Sequence, residues 1–378
     1  MRKDKQTKTK TKKRMNLSLL IVVLILLFVG FVMVFSSSSP KGLQNFNDGS
    51  YFVKGQIRYG LFGLVIMMIA SVFNYRILSG KVSLGIFIIS VLTTGLLKTP
   101  LGTDLGMGAT RWVRLGSFTF MPGDLVKIGS ILFLSNLLKE YHDKEKGTNF
   151  LISSFATIGI SVVAIIIQQD LGTAITLGAT LFVMVVVGGL SSKIIAGFSA
   201  LGVGFVFFLF KHVIHNPKFA NSFRIKRLTS FLDPFADSQD TGWQAVQSMY
   251  AFAAGGIKGC GLGKSKQKFF YIPEAYNDFI FAIIGEETGF LGGLILIGLY
   301  IAILYLGVKI ALAAKDAFGY YLAIGITALI SLQTVIHMSV VTSIMPTTGI
   351  TLPFVSYGGT SLIIYLGAIG LLLSISRD

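Results

Sequence analysis

Ten apolar runs punctuate the chain, at about 17–35, 57–73, 82–97, 123–138, 150–168, 171–190, 194–213, 278–308, 318–342 and 358–375. Each approaches or exceeds the roughly 20 residues that a transmembrane helix needs. Together they predict an all-α, polytopic integral membrane protein. The first run follows a basic tail but is too long for a signal-peptide core. Ser36 to Pro40 offers no small-x-small cleavage site, so the run is expected to be a first transmembrane helix. No internal repeat at a fixed spacing and no matched pair of Gly/Pro-broken helices is found, which weakens a secondary-transporter reading.

The charges order these spans. Of 33 Lys and Arg against 17 Asp and Glu in 378 residues, eight basic residues fall within the first fourteen positions, a polar cytoplasmic tail. Alternation from that tail places Arg76/Lys81, Lys139–Lys146, Lys193, Lys309–Lys315 and Arg377 inside, so both termini are expected in the cytoplasm. The outer face then receives 40–56, 98–122, 343–357 and one large loop, 214–277, within a ten-span domain covering 15–378. That loop carries eight basic residues against four acids. Simple solvation and an anionic ligand such as a phosphate explain this about equally well. One cysteine, Cys260, excludes an intrachain disulfide, and the four scattered histidines form no metal-ligand pattern.

Four polar clusters fall on the predicted outer side. In GATRWVRLGSFTFMPGDLVK, Arg111, Trp112 and Arg114 fit headgroup level, and Pro122 with Asp124 reads as a helix start. Lys127, one turn further, requires a partner or a watery cavity; Asp124 at i−3 supplies a structural one, and a ligand contact stays open. Asp170 sits in a short turn, Gln168-Gln169-Asp170, where capping the next helix and direct chemistry are both open. The third cluster, GGIKGCGLGKSKQKFFYIPEAYNDF, includes Lys264 in a glycine-rich stretch able to wrap a phosphate. Lys258 stands where a P-loop needs glycine, which rejects a nucleotide site. Beneath Asp278, Ala282, Gly285, Gly289 and Gly292 line one side of a helix, meaning tight packing or room for substrate. Glu286 and Glu287 in the same run ask for a polar cavity or buried partners. Last comes PTTGITLPFVSYGGTS, containing Ser356, whose prolines and glycines break any continuous helix.

In this order and these places, the segments resemble the SEDS family (shape, elongation, division and sporulation), the FtsW/RodA/SpoVE proteins. The most specific pieces are GWQAVQSMYAFAAGGIKGCGLGKSKQKFFYIPEAYNDFIFAIIGEETGFLG and MPTTGITLPFVSYGGTSL, and GLGKSKQKFFYIPEA looks more like the FtsW/SpoVE branch than the RodA branch. The resemblance implies a peptidoglycan glycosyltransferase that polymerises lipid II outside the cytoplasmic membrane beside a class B penicillin-binding transpeptidase. It implies Asp278 as catalytic, with Arg111, Lys127, Asp170, Arg224, Arg227 and Glu274 as further motif residues. Lys264 and Ser356 complete the expected substrate contacts. The chain departs from the family pattern at Gln169, Tyr276-Asn277, His337 and Thr348.

The chemistry agrees with this implication. A lipid-linked sugar diphosphate needs cations at headgroup level, an apolar groove and a carboxylate near the sugar. Asp278 would act as general base, while Arg, Lys, backbone N–H groups or a divalent cation such as Mg2+ would stabilise the departing diphosphate. Membrane lipid is an expected partner and nucleic acid is not. A lipid II flippase and a non-catalytic scaffold remain the alternatives.

Overall fold

The computed structural model describes residues 15–104, 109–116, 118–142, 144, 147–197, 200, 204, 231–235 and 242–378. The principal helices are α1 (Leu17–Phe46), α2 (Tyr51–Val72), α3 (Lys81–Thr93), α4 (Pro122–Glu140), α5 (Thr148–Ile166), α6 (Leu171–Val187), α7 (Trp243–Gly255), α8 (Ile280–Leu312), α9 (Ala317–Val341) and α10 (Thr360–Arg377). Among the described residues, seven apolar stretches are long enough to cross a membrane: α1, α2, residues Lys81–Lys98, α5, α8, α9 and α10. The chain is therefore a multi-pass membrane protein. The predicted spans at 123–138 and 171–190 are also helical, but α4 carries Asp124, Lys127, Lys139 and Glu140, and α6 is only 17 residues long. The predicted span at 194–213 lies mostly outside the described residues, so the helices account for nine of the ten runs.

Local chemistry sets several helix starts. The Asn16 side chain accepts from Leu19 N–H at 3.1 Å, Asp170 from Thr173 N–H at 3.0 Å and Asp316 from Gly319 N–H at 2.8 Å. Pro122 occupies the first turn of α4, where its missing N–H costs nothing. Asn16 N–H donates to Ser376 Oγ at 3.1 Å, so the start of α1 and the end of α10 share one end of the bundle. That end is clasped by Arg76, whose guanidinium meets Asp316 at 2.9 Å and also Asp378.

Three features depart from the sequence expectation. The segment 98–122 forms a small antiparallel sheet, β1 (Gly102–Thr103), β2 (Trp112–Leu115) and β3 (Phe118–Phe120), with Val113 opposite Phe120. Within the predicted outer loop 214–277, α7 is a helix packed against α8. The apolar run 278–308 is not one straight span, because Gly289 at φ 66° breaks α8. Residues 280–288 form a front segment, and 290–312 are long enough to cross a bilayer by themselves.

Candidate active site

The end of the bundle opposite the Arg76 clasp holds a cavity of about 490 Å³. Its walls come from segments far apart in sequence: Arg111 and Trp112 at β2, Asp124 and Lys127 of α4, Asp170 and Thr173 of α6, residues 274–279 and residues 347–361. This size lies within the usual range for a small-molecule site. Arg111, Lys127, Asp170, Glu274 and Asp278, five of the residues read from the sequence, share this one space.

Each is held by identifiable partners. Arg111 donates through Nη2 to the carbonyl of Gln169 at 2.8 Å, joining the β2 hairpin to the α5–α6 turn. Lys127 Nζ lies 2.9 Å from Asp124 Oδ1, and Ser361 Oγ donates to Asp124 Oδ2 at 2.5 Å. The structural pair left open at Lys127 is thus formed, at the cavity wall. Asp170 does cap α6, and it too faces the cavity. Glu274 pairs with Lys41 of α1 at 2.8 Å. Asp278 precedes α8, and its Oδ2 faces Gly349, where an added Cβ would lie 3.4 Å away. Gly349 has φ 68° and belongs to the non-helical segment between α9 and α10.

The phenols beside these acids stay protonated. Burial, then the charge of Glu274, pushes the Tyr276 hydroxyl far above its usual range. Burial, with Tyr59 and Tyr51 adding to it, pushes Tyr357 up to about 12. Both are therefore hydrogen-bond donors at neutral pH.

Two other expected residues, Ser356 and Lys264, are not on the cavity wall. Ser356 is buried as a staple: its hydroxyl donates to Asn277 O at 2.6 Å and accepts from Leu352 N–H at 2.8 Å, fixing the Gly349 segment to the Asp278 loop. Lys264 is exposed and does not line the cavity. Arg224 and Arg227 lie outside the described residues. The strip beneath Asp278 is a packing seam, since a Cβ on Gly255 of α7 would come within 2.1 Å of Gly285 O. Glu286 accepts from Ser265 Oγ and Lys266 N–H, whereas Glu287 takes Ser36 Oγ at 2.6 Å and Lys268 Nζ at 3.0 Å. These acids find buried partners, not the cavity.

Sequence reasoning missed Lys41 and Gln333. Gln333 accepts from Lys127 at 3.5 Å and from the Tyr365 hydroxyl, and donates to Thr351 O at 2.8 Å. A glutamine inside an apolar span was a usable signal; nothing local marked Lys41.

A multi-pass helical bundle with a polar, carboxylate-bearing cavity at one end defines the class. Residues 16–378 match the FtsW/RodA/SpoVE family of cell cycle proteins, and the chain belongs to that family. Stage V sporulation protein E of Bacillus subtilis is 39% identical over 363 residues, covering 92% of this chain and 93% of the relative. The probable peptidoglycan glycosyltransferase FtsW of Trichlorobacter lovleyi is 37% identical over 348 residues, covering 92% and 89%. Among solved structures, a chain from work on the structural coordination of polymerization and crosslinking by a peptidoglycan synthase complex aligns with a TM-score of 0.79 at 26% identity, covering 96% and 98%. The rod shape determining protein RodA of Thermus thermophilus shares the fold, with a TM-score of 0.69 at 23% identity, covering 96% and 97%.

Proposed function

We propose that this chain is a peptidoglycan glycosyltransferase that polymerises lipid II into glycan strands at the outer face of the bacterial cytoplasmic membrane, in division or sporulation, beside a class B penicillin-binding transpeptidase. The observation that carries this reading is the convergence of Asp278, Arg111 and Lys127 on one cavity at the bundle end. Its relatives' names and a solved neighbour from a peptidoglycan synthase complex support it.

In this reading Asp278 accepts the proton of the acceptor sugar hydroxyl as that oxygen attacks the donor's anomeric carbon, and the lipid diphosphate leaves with the bonding pair. One direct displacement inverts the anomeric carbon. The Tyr276 and Tyr357 hydroxyls stay protonated and can orient sugar oxygens.

Charge balance sharpens the requirements. The cavity lining carries Asp124, Asp170, Glu274 and Asp278 against Arg111 and Lys127. Lys127 neutralises Asp124, and Lys41 neutralises Glu274. Among the described residues Arg111 and Lys127 are the cations of this lining, against four carboxylates, so a diphosphate calls for further positive charge. Arg224 and Arg227 are candidates, and so is Mg2+. Among the described residues no three acidic, His or Cys side chains gather as a ligand set. The fit is therefore to an ion that arrives on the phosphates and takes a single carboxylate, with Asp170 able to serve while Asp278 remains the base. Such an ion would neutralise the departing diphosphate.

Incubating the purified chain with lipid II, with and without its transpeptidase and with and without EDTA, tests the proposal. Long glycan strands are expected. Translocation without strands would make the protein a flippase, and neither outcome in the complete complex would leave a scaffold.

A further inference from the structure

The break in α8 is filled by another part of the chain. At Gly289 the carbonyls of Glu286 and Glu287 lose their helical partners, as do the N–H groups of Phe290 and Leu291. Residues 256–261 supply replacements on both sides. Cys260 and Gly261 N–H donate to Glu286 O and Glu287 O at 2.9 and 3.0 Å, while Gly256 O and Ile257 O accept from Phe290 and Leu291 at 2.9 and 3.2 Å. The loop thus spends much of its backbone polarity inward, and its apolar side chains point out. Ile257 is 68% exposed and Leu262 62%. Lys258, Lys264 and Lys266 are exposed around them, and no acid occurs between residues 253 and 273.

Position completes the picture. Residues 290–312 have the length to cross the roughly 30 Å hydrocarbon layer, and a crossing by this segment alone would set Phe290 near one boundary of it. Phe290 and Ile295 on that crossing are exposed as well. The exposed Ile257, whose carbonyl accepts from Leu291 N–H, thus lies beside the exposed Phe290 at the broken end of α8.

We propose that residues 256–266 form an interfacial anchor that seats Ile257 and Leu262 in the cavity-side leaflet and gathers anionic phospholipid headgroups through Lys258, Lys264 and Lys266. A backbone satisfied within the protein is what permits a non-helical segment at this depth. Lysines near an anionic surface contribute about 1 kcal/mol each, or about fivefold in local enrichment. The anchor rests on the membrane reading alone, not on catalysis, and would steady the loop that leads to Glu274 and Asp278.

The chain's single cysteine lies in this loop and is exposed, so it reports on the anchor directly. Full-length protein labelled with bimane at Cys260 is reconstituted in phosphatidylcholine vesicles with and without phosphatidylglycerol. Quenching by brominated lipid is expected to exceed quenching by aqueous iodide. Brominated phosphatidylglycerol should out-quench brominated phosphatidylcholine by about fivefold or more. In Lys258→Gln/Lys264→Gln/Lys266→Gln protein of unchanged elution profile, that preference should fall to near unity. Iodide quenching without lipid quenching would place the loop in water and overturn the proposal. Equal quenching by both lipids in the unmodified loop would overturn the headgroup assignment. A label shielded from both quenchers whenever another protein co-purifies would assign the face to that protein instead.

Discussion

Lys127 and Asp124, one helical turn apart on α4, form an ion pair 2.9 Å long whose side chains are only 4% and 2% exposed, at the wall of a polar cavity. Burial makes each charge dependent on the other. Lys127→Met strands a carboxylate and is expected to cost about 3–5 kcal/mol in thermal unfolding, whereas Lys127→Met/Asp124→Asn removes both charges and should recover most of that loss. The double variant should still lose at least about tenfold in glycan synthesis if Lys127 meets substrate phosphate, because a charge-assisted hydrogen bond goes with it. Full activity in the stable double variant would reduce the pair to structure.

Asp278→Asn keeps the shape of the side chain but removes the base. The N-terminal cap position of α8 is Phe279, so Asp278 is not the cap residue of that helix. Strand synthesis is expected to fall by about 10²–10⁴-fold at unchanged expression and elution. Normal strand lengths from this variant on a gel would move the search for the base to Asp170 or Glu274.

The break in α8 depends on one backbone position. Gly289 has φ 66°, and a Cβ there would lie 2.3 Å from Gly259 N. Gly289→Ala is expected to destabilise by about 2 kcal/mol or more. Gly298→Ala on the same helix, where a Cβ meets nothing within 4 Å, should be neutral or mildly stabilising. Equal melting temperatures for the two variants would mean that the break is not required.

The loop charges predict the orientation. In a Cys260→Ser background, Asp48→Cys, beside the cavity end, should label with an impermeant maleimide on intact cells, and Lys144→Cys, after α4, should not. The reverse pattern would turn the molecule over and place the cavity in the cytoplasm.

The clasp at the other end should titrate. Burial pushes the Asp316 carboxyl up, but the Tyr75 hydroxyl, the Gly319 N–H and the Arg76 guanidinium outweigh it and hold the group below its ordinary range. A carboxyl lowered by folding stabilises the native state above its unfolded value, and that stability is lost as pH falls through the lowered one. Melting temperature should therefore drop on acidification below about pH 4, and Asp316→Asn should be less stable at neutral pH with a shallower acid limb. Identical slopes would exclude Asp316 from the acid response.

By itself the sequence determined whatever depends on near neighbours or on solvent. Long apolar runs form helices in lipid because intrahelical bonds satisfy their backbone there, and the nine runs that lie among the described residues are helical. Asp170 as a cap and Asp124 with Lys127 at i−3 are contacts within one turn, so spacing was enough to propose them. Tertiary structure decided the rest. Hydropathy is blind to φ, so the run 278–308 conceals the break at Gly289, and only the returning loop 256–261 makes that break affordable. Lys41 meets Glu274 across more than two hundred positions, and Ser356 becomes a staple because Asn277 lies opposite it. Lys264, grouped by its motif with the substrate contacts, sits outside the cavity because its glycine-rich loop is held against the broken ends of α8. Proximity between distant segments is set by how helices pack and where backbone polar groups left by a broken helix find partners, and neither is a property of a local stretch of chain.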